Sequence, residues 1–168
     1  MKHADAVDNL IDQWKAQRPD LQSDVMGIFG RFGRIWNYAT RSVEETLGRW
    51  GLQMGDFDVL ATVRRSGPPF TMAPSQLTHW LMLSPSGITS RLDRLEKAGL
   101  VERKPSEEDR RSLLIVLTPK GKKIVDDAVE AHVANQTRML SSLTAAERKT
   151  LDQILRTLLG GFEQHKRD

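Results

Sequence analysis

Residues 84–99 read SPSGITSRLDRLEKAG, and their side chains fall into two chemical sets. On a helical wheel Ser86, Thr89, Ser90, Asp93 and Lys97 share one face, with Arg94 beside it, while Ile88, Leu92 and Leu95 form an apolar stripe opposite. Short hydroxyls in the first two turns let a helix come close to a base-pair edge, and a guanidinium fork can donate two parallel hydrogen bonds to guanine. Ser84, Ser86, Thr89, Ser90 and Arg94 are therefore candidate DNA-contacting residues, the first four and Arg94 lying on what reads as a recognition helix. Further on, Asp109-Arg110-Arg111-Ser112 brings two guanidinium groups into a polar, turn-prone segment, where Arg110 and Arg111 could meet phosphates or a narrow minor groove. Arg110 has a second reading, an intramolecular pair with Asp109 or Glu108 that shapes the loop.

A different chemistry gathers around Arg91. It sits at the inner edge of the Ile88/Leu92/Leu95 stripe, where an unpaired guanidinium is costly. Asp58, in the apolar run Phe57-Asp58-Val59-Leu60-Ala61, is the candidate counter-charge, either as a permanent salt bridge or as a partner that a bound anion replaces. Trp14 lies on the stripe Val7, Leu10, Ile11, Trp14 and reads first as a packing residue. Arg103 reads first as a phosphate contact or a surface charge.

The elements that must position these groups are marked by local signals. Ser84-Pro85 is an N-cap followed by proline at the first helical position, and Gly99 is the stop. Ala73 to Met82 predicts a short preceding helix, so the pair forms a helix-turn-helix. Leu100–Lys104 and Leu113–Leu117 predict a β-hairpin. Upstream, helices are expected from about His3 to Gln17, Ser23 to Trp50 and Gly55 to Arg65, with Gly27, Gly30 and Gly33 marking close packing in the second. The loop Ser66-Gly67-Pro68-Pro69 precedes the helix-turn-helix. Downstream, Thr118-Pro119 launches a helix to about Met139, and the capping box Thr144-Ala145-Ala146-Glu147 opens a last one to about Glu163. The fold class is mainly α with a small β-hairpin wing, a winged helix-turn-helix. Residues 1–22 form an additional N-terminal helix, 54–118 the DNA-binding domain, and 23–53 with 119–168 the dimerisation helices. The surplus apolar stripe Leu151, Ile154, Leu155, Leu158 and Leu159 is the reason to expect a homodimer.

Composition narrows the function classes. The 168 residues carry a formal charge of only +3, so nucleic-acid binding must come from local clustering of Arg91, Arg94, Arg103, Lys104, Arg110 and Arg111. The chain has no cysteine, which excludes disulfides and a thiol-based sensor. No apolar run reaches membrane-spanning length and no signal-peptide core opens the chain, so a soluble, cytoplasmic protein with no membrane partner is expected. His3, His79, His132 and His165 lie in separate segments without metal-ligand spacing, His79 beside Trp80 reading as a helix-surface residue. No GxSxG, HExxH or P-loop occurs; no catalytic residue, metal or cofactor is expected.

The sequence from about Phe57 to Gly121, with Arg91-Leu92-xx-Leu95-Glu96-xx-Gly99-Leu100-Val101-x-Arg103, the Asp109-Arg110-Arg111-Ser112 wing and Leu117-Thr118-Pro119-Lys120-Gly121, resembles the MarR family of bacterial transcriptional regulators. Trp14 with Arg18-Pro19-Asp20-Leu21, Phe57-Asp58-Val59-Leu60-Ala61-Thr62, Arg64-Arg65 and Pro74-Ser75-Gln76-Leu77 is similar to its PecS-type subgroup, which responds to urate. The resemblance implies a homodimeric repressor bound to a palindromic double-stranded operator and released by a small anionic effector. It implies Trp14, Asp58, Arg91 and Arg103 as the ligand-binding residues. A planar purine anion suits an arginine fork and an indole face; other relatives take carboxylates or phenolics. A ligand-independent DNA-binding or architectural protein, with Asp58–Arg91 as a static bridge, is the competing expectation.

Overall fold

The computed structural model describes residues 4–106 and 112–164. The chain divides into two compact units, Met1–Met54 and Gly55–Asp168.

The first unit is helical. Helix α1 (Ala6–Gln17) is capped by Asp5, whose carboxylate accepts from the backbone N–H of Val7 and Asp8 while Asp8 returns a bond to the Asp5 N–H. It thus starts inside the expected His3, which lies outside the described residues. Val7 and Ile11 are its buried positions and rest on α2 (Asp24–Leu47) at two glycines. A β-carbon on Gly27 would meet Ile11 Cδ1 at 2.7 Å, and one on Gly30 would meet Val7 Cγ1 at 3.1 Å. Gly33 has nothing near it, so only two of the three glycines mark the packing seam. Two cations fasten the pair: Arg31 donates to Asp5 at 2.8 Å and to Asp8 at 2.5 Å, and Lys15 meets Asp24 at 2.8 Å. Helix α2 stops at Leu47, earlier than expected, and a 3-10 turn over Gly48–Trp50 completes the segment before Gly51 takes φ +67°.

The second unit is the winged helix. Helix α3 (Met54–Arg65) leads through the Pro68–Pro69 loop to strand β1 (Thr71–Met72), then α4 (Pro74–Leu81), α5 (Pro85–Lys97), β2 (Val101–Pro105), β3 (Leu113–Leu117), α6 (Pro119–Met139) and α7 (Ala145–Gln164). The expected hairpin is present, but it belongs to a three-stranded antiparallel sheet ordered β1-β3-β2. Two residues, Thr71 and Met72, pair with Val116 and Ile115. So short a strand carries no periodicity of its own and exists because β3 offers its second edge.

Core positions follow the apolar stripes. Ile88, Leu92 and Leu95 of α5 are buried with Leu60 and Val63 of α3, Leu77 of α4, Ile115 of β3 and Val125 of α6. Each such side chain contributes about 1.5–3 kcal/mol on removal from water. The start of α6 is fixed by backbone proximity. Thr118 caps it through Oγ1 to the Gly121 N–H at 2.9 Å and donates to the Gly99 carbonyl at 2.8 Å. Gly121 faces the Leu100 carbonyl so closely that a β-carbon there would overlap it. Thr-Pro-x-Gly is thus a cap, a helix start and a contact surface in four residues.

Candidate nucleic-acid interface and effector site

Helix α5 is presented as the sequence predicts. Ser84 Oγ accepts from the Gly87 N–H at 3.2 Å and lies 3.1 Å from Ser86 Oγ. The Ser84 oxygen therefore caps the helix, and its service to DNA is limited to what the cap leaves over. Ser86, Thr89 and Ser90 are exposed on one face. Thr89 donates its hydroxyl proton to the Pro85 carbonyl at 3.0 Å, so it faces outward as a methyl group and an acceptor. A cleft of about 330 Å³ between α4 and α5 is lined by Pro74, Ser75, Thr78, Pro85, Ile88 and Thr89. Arg110 and Arg111 lie outside the described residues.

Three arginines tie α5 to its neighbours, and their partners differ from those expected. Arg94 forks onto Asp56 in the first turn of α3, with Nη2 to Oδ1 at 2.7 Å and Nε to Oδ2 at 3.3 Å. Asp56 is buried, and its hydrogen bond raises the Arg94 pKa above the ordinary guanidinium value. One turn earlier on α5, Arg91 donates to the Gly55 carbonyl at 3.2 Å, and a β-carbon on Gly55 would overlap its guanidinium. The static Asp58–Arg91 bridge is therefore replaced by two contacts on consecutive residues, Gly55 and Asp56. Side-chain type alone could not distinguish Asp56 from Asp58, because the choice depends on which turn of α3 meets α5. Arg103 takes the third position. Strand alternation puts Val101 and Arg103 on the sheet face toward α5, where Arg103 donates to Asp93 at 2.6 Å and to Glu96 at 2.5 Å. Those carboxylates raise the Arg103 pKa, and they occupy a group first read as a phosphate contact or free surface charge.

Around Asp58 the environment is partly dry. Burial pushes its carboxyl above the usual range, while the Arg91 charge and, less strongly, His132 and Arg65 pull it down. His132 of α6 packs against Phe57 with ring centroids 5.0 Å apart and the ring planes tilted by 46°. Its Nδ1 is buried without a hydrogen-bond partner among the described residues, and burial lowers its pKa against the opposing pull of Asp58. His132 was not singled out by sequence: a lone histidine on an amphipathic helix carries no local signal of what it faces. Of the four expected ligand residues, Asp58 and Arg91 come within electrostatic reach of each other, and Arg103 is anchored to the same helix as Arg91. Trp14, in the first unit, is partly exposed on α1.

Residues 52–113 match the MarR family. The HTH-type transcriptional regulator PecS of Dickeya dadantii is 40% identical over 159 residues, covering 95% of this chain and 93% of that protein. The chain belongs to the MarR family. Its similarity to PecS over nearly its whole length supports the PecS-type assignment, and it is a DNA-binding transcriptional regulator, not an enzyme. Among solved MarR structures, AbsC of Streptomyces coelicolor superimposes with a TM-score of 0.77 at 26% identity, covering 86% of this chain and 97% of AbsC. A mutant MarR of E. coli complexed with operator DNA superimposes with a TM-score of 0.72 at 26% identity, covering 83% of this chain and 98% of that one. Among the described residues no helix of this MarR protein is long and apolar enough to cross a membrane, and no group of three metal-ligating side chains occurs.

Proposed function

We propose that this regulator is a homodimeric repressor that holds a palindromic operator in the bacterial cytoplasm and lets go when a small anion, urate foremost, binds at Trp14, Asp58, Arg91 and Arg103. Arg91 is the observation that carries the reading. It belongs to the reading helix, yet its hydrogen bond goes to a neutral carbonyl, with the Asp58 carboxylate in electrostatic range. An arriving anion is a stronger partner for a guanidinium than a carbonyl oxygen, and it repels Asp58. Exchanging the partner of Arg91 shifts the seat of α5 on α3, and a coupling of about 1–3 kcal/mol changes operator affinity from several-fold to about a hundredfold. By linkage, operator DNA weakens effector binding by the same factor.

The dimer reading rests on two uncovered apolar faces. On α2, Ile28, Phe29, Phe32, Ile35 and Trp36 are exposed; on α7, Ile154, Leu155, Leu158, Leu159 and Phe162 are exposed, and that helix has no buried residue. A second copy is the natural cover for such faces. Residues 23–53 and 119–168 then serve dimerisation, 54–118 serves DNA, and 1–22 contributes Trp14. Two-fold symmetry sets the two reading helices about 34 Å apart, one turn of DNA.

The deciding experiment titrates a protein–operator complex with urate, xanthine, salicylate and citrate, for wild type and Arg91→Ala. Release by urate in the wild type and none in the variant supports the proposal. Release by salicylate or citrate alone reassigns the effector to a phenolic or a carboxylate. No release by any of the four makes the protein a ligand-independent DNA-binding protein.

A further inference from the structure

We infer that Asp56 is a positioning residue for DNA reading: it grips the Nε/Nη2 edge of the Arg94 guanidinium so that the terminal Nη1/Nη2 edge is held out to the operator. The atoms of the contact carry the inference. Asp56 receives Nε–H and one Nη2–H of Arg94, at 3.3 and 2.7 Å. A guanidinium has five N–H donors, so the second Nη2–H and both Nη1–H groups remain. Of these, the second Nη2–H and one Nη1–H point in parallel off the terminal edge, a bidentate donor of the spacing that matches guanine O6/N7 or two phosphate oxygens, while the other Nη1–H points back toward Cδ. The burial is lopsided in the direction this requires: the Asp56 side chain is 9% exposed and that of Arg94 is 47% exposed.

The lopsidedness also fixes what Arg94 can do. Swinging the whole side chain to DNA would strand a buried carboxylate without its counter-charge, which is strongly unfavourable. Arg94 therefore keeps Asp56 and reaches DNA with its other edge, entering the groove with its rotamers already restricted. Its backbone is seated by the neighbouring contact, since Arg91, one turn away on α5, is anchored at Gly55, the residue before Asp56. Ser90, four residues before Arg94 and exposed, lies on the same side of the helix. Arg94 and Ser90 thus read adjacent positions, and Asp56 determines how sharply Arg94 discriminates at its own.

The test uses the full-length protein and a duplex recovered from a randomised pool by selection with the wild type. Affinity and base preference are measured for wild type, Asp56→Ala, Asp56→Asn, Arg94→Ala and the double variant Asp56→Ala/Arg94→Ala. Asp56→Ala, which leaves a half-exposed arginine and no buried charge, is expected to weaken binding roughly tenfold and relax preference at one base pair per half-site. Asp56→Asn, which keeps one acceptor oxygen, is expected to fall between. In the Arg94→Ala background, removing Asp56 is expected to cost no further affinity. A purely structural pair would lower the melting temperature and leave base preference untouched, and that result overturns the inference. So does an equal loss of affinity from Asp56→Ala with or without Arg94. Because Arg94→Ala alone strands Asp56, the double variant is the folded reference for the cycle.

Discussion

At the scale of single residues, α5, the proposed reading helix, is held by guanidinium groups whose partners are unlike in kind: a buried carboxylate for Arg94, a carbonyl for Arg91, two half-exposed carboxylates for Arg103. The Arg91 contact is the easiest to exchange, since a neutral acceptor gives up less than a charged one. Gly55→Ala tests it directly. The added methyl must displace the guanidinium, so half-release of operator should require about tenfold more effector if this contact couples effector to DNA; a competition titration reads the shift. His132 supplies a pH prediction. Its folded pKa lies below the ordinary 6.5 because the ring is buried. The unfolded chain therefore takes up this proton before the folded one does, and stability is lost as pH falls below about 6.5. Asp58, with its folded pKa raised, works in the other direction at lower pH: its ionisation weighs against folding as pH climbs just above 3.8. His132→Gln should flatten the melting-temperature profile between pH 6.5 and 5 relative to wild type. The Asp5 carboxyl, held down to about 2 by Arg31, extends the α1 clamp into strong acid.

At the scale of elements, the boundaries that sequence could find are those built from neighbours in sequence. Ser84-Pro85, Thr118-Pro119 and Thr144-xx-Glu147 each satisfy their own helix start, Thr144 and Glu147 exchanging bonds at 2.8 and 3.3 Å. Strand β1 escaped because its two ladder residues answer to β3, more than forty positions away. The same distance hid Asp56: sequence gives complementary types, and only tertiary packing says which turn faces which. In sequence Gly121 is only the end of the Leu117–Gly121 motif; its physical reason is the Leu100 carbonyl across from it. Gly121→Ala should therefore destabilise the winged unit by about 1–3 kcal/mol, as overpacking against backbone does. Thr118→Ala, which removes the cap and the bond to the Gly99 carbonyl but adds no clash, should cost about 1 kcal/mol. Chemical denaturation of both variants checks the order.

At the scale of the whole molecule, a net charge of +3 leaves DNA affinity to the local arrangement of arginines and, in the proposed dimer, to presenting two reading helices together. Placing glutamates at Ile154 and Leu158 should break the proposed dimer. Sedimentation velocity would show a species of half the mass, and operator affinity should fall by more than a hundredfold as the second half-site is lost. An unchanged sedimentation coefficient would move the interface away from α7.

The central position of β3 bears on how such a regulator could be retargeted. One edge of that strand pairs with the wing and the other with the two residues leading into α4. Both DNA-facing parts are consequently stitched to a common seam. A chimera that borrows specificity from a relative by exchanging only residues 74–97 keeps the Thr71–Val116 and Met72–Ile115 pairs but sets a new reading head against the old β2, whose Arg103 grips Asp93 and Glu96 of α5. The portable cassette runs from Thr71 to Leu117, and swaps cut at those two points carry the Arg103 ties along with the helix they hold, where shorter grafts sever them.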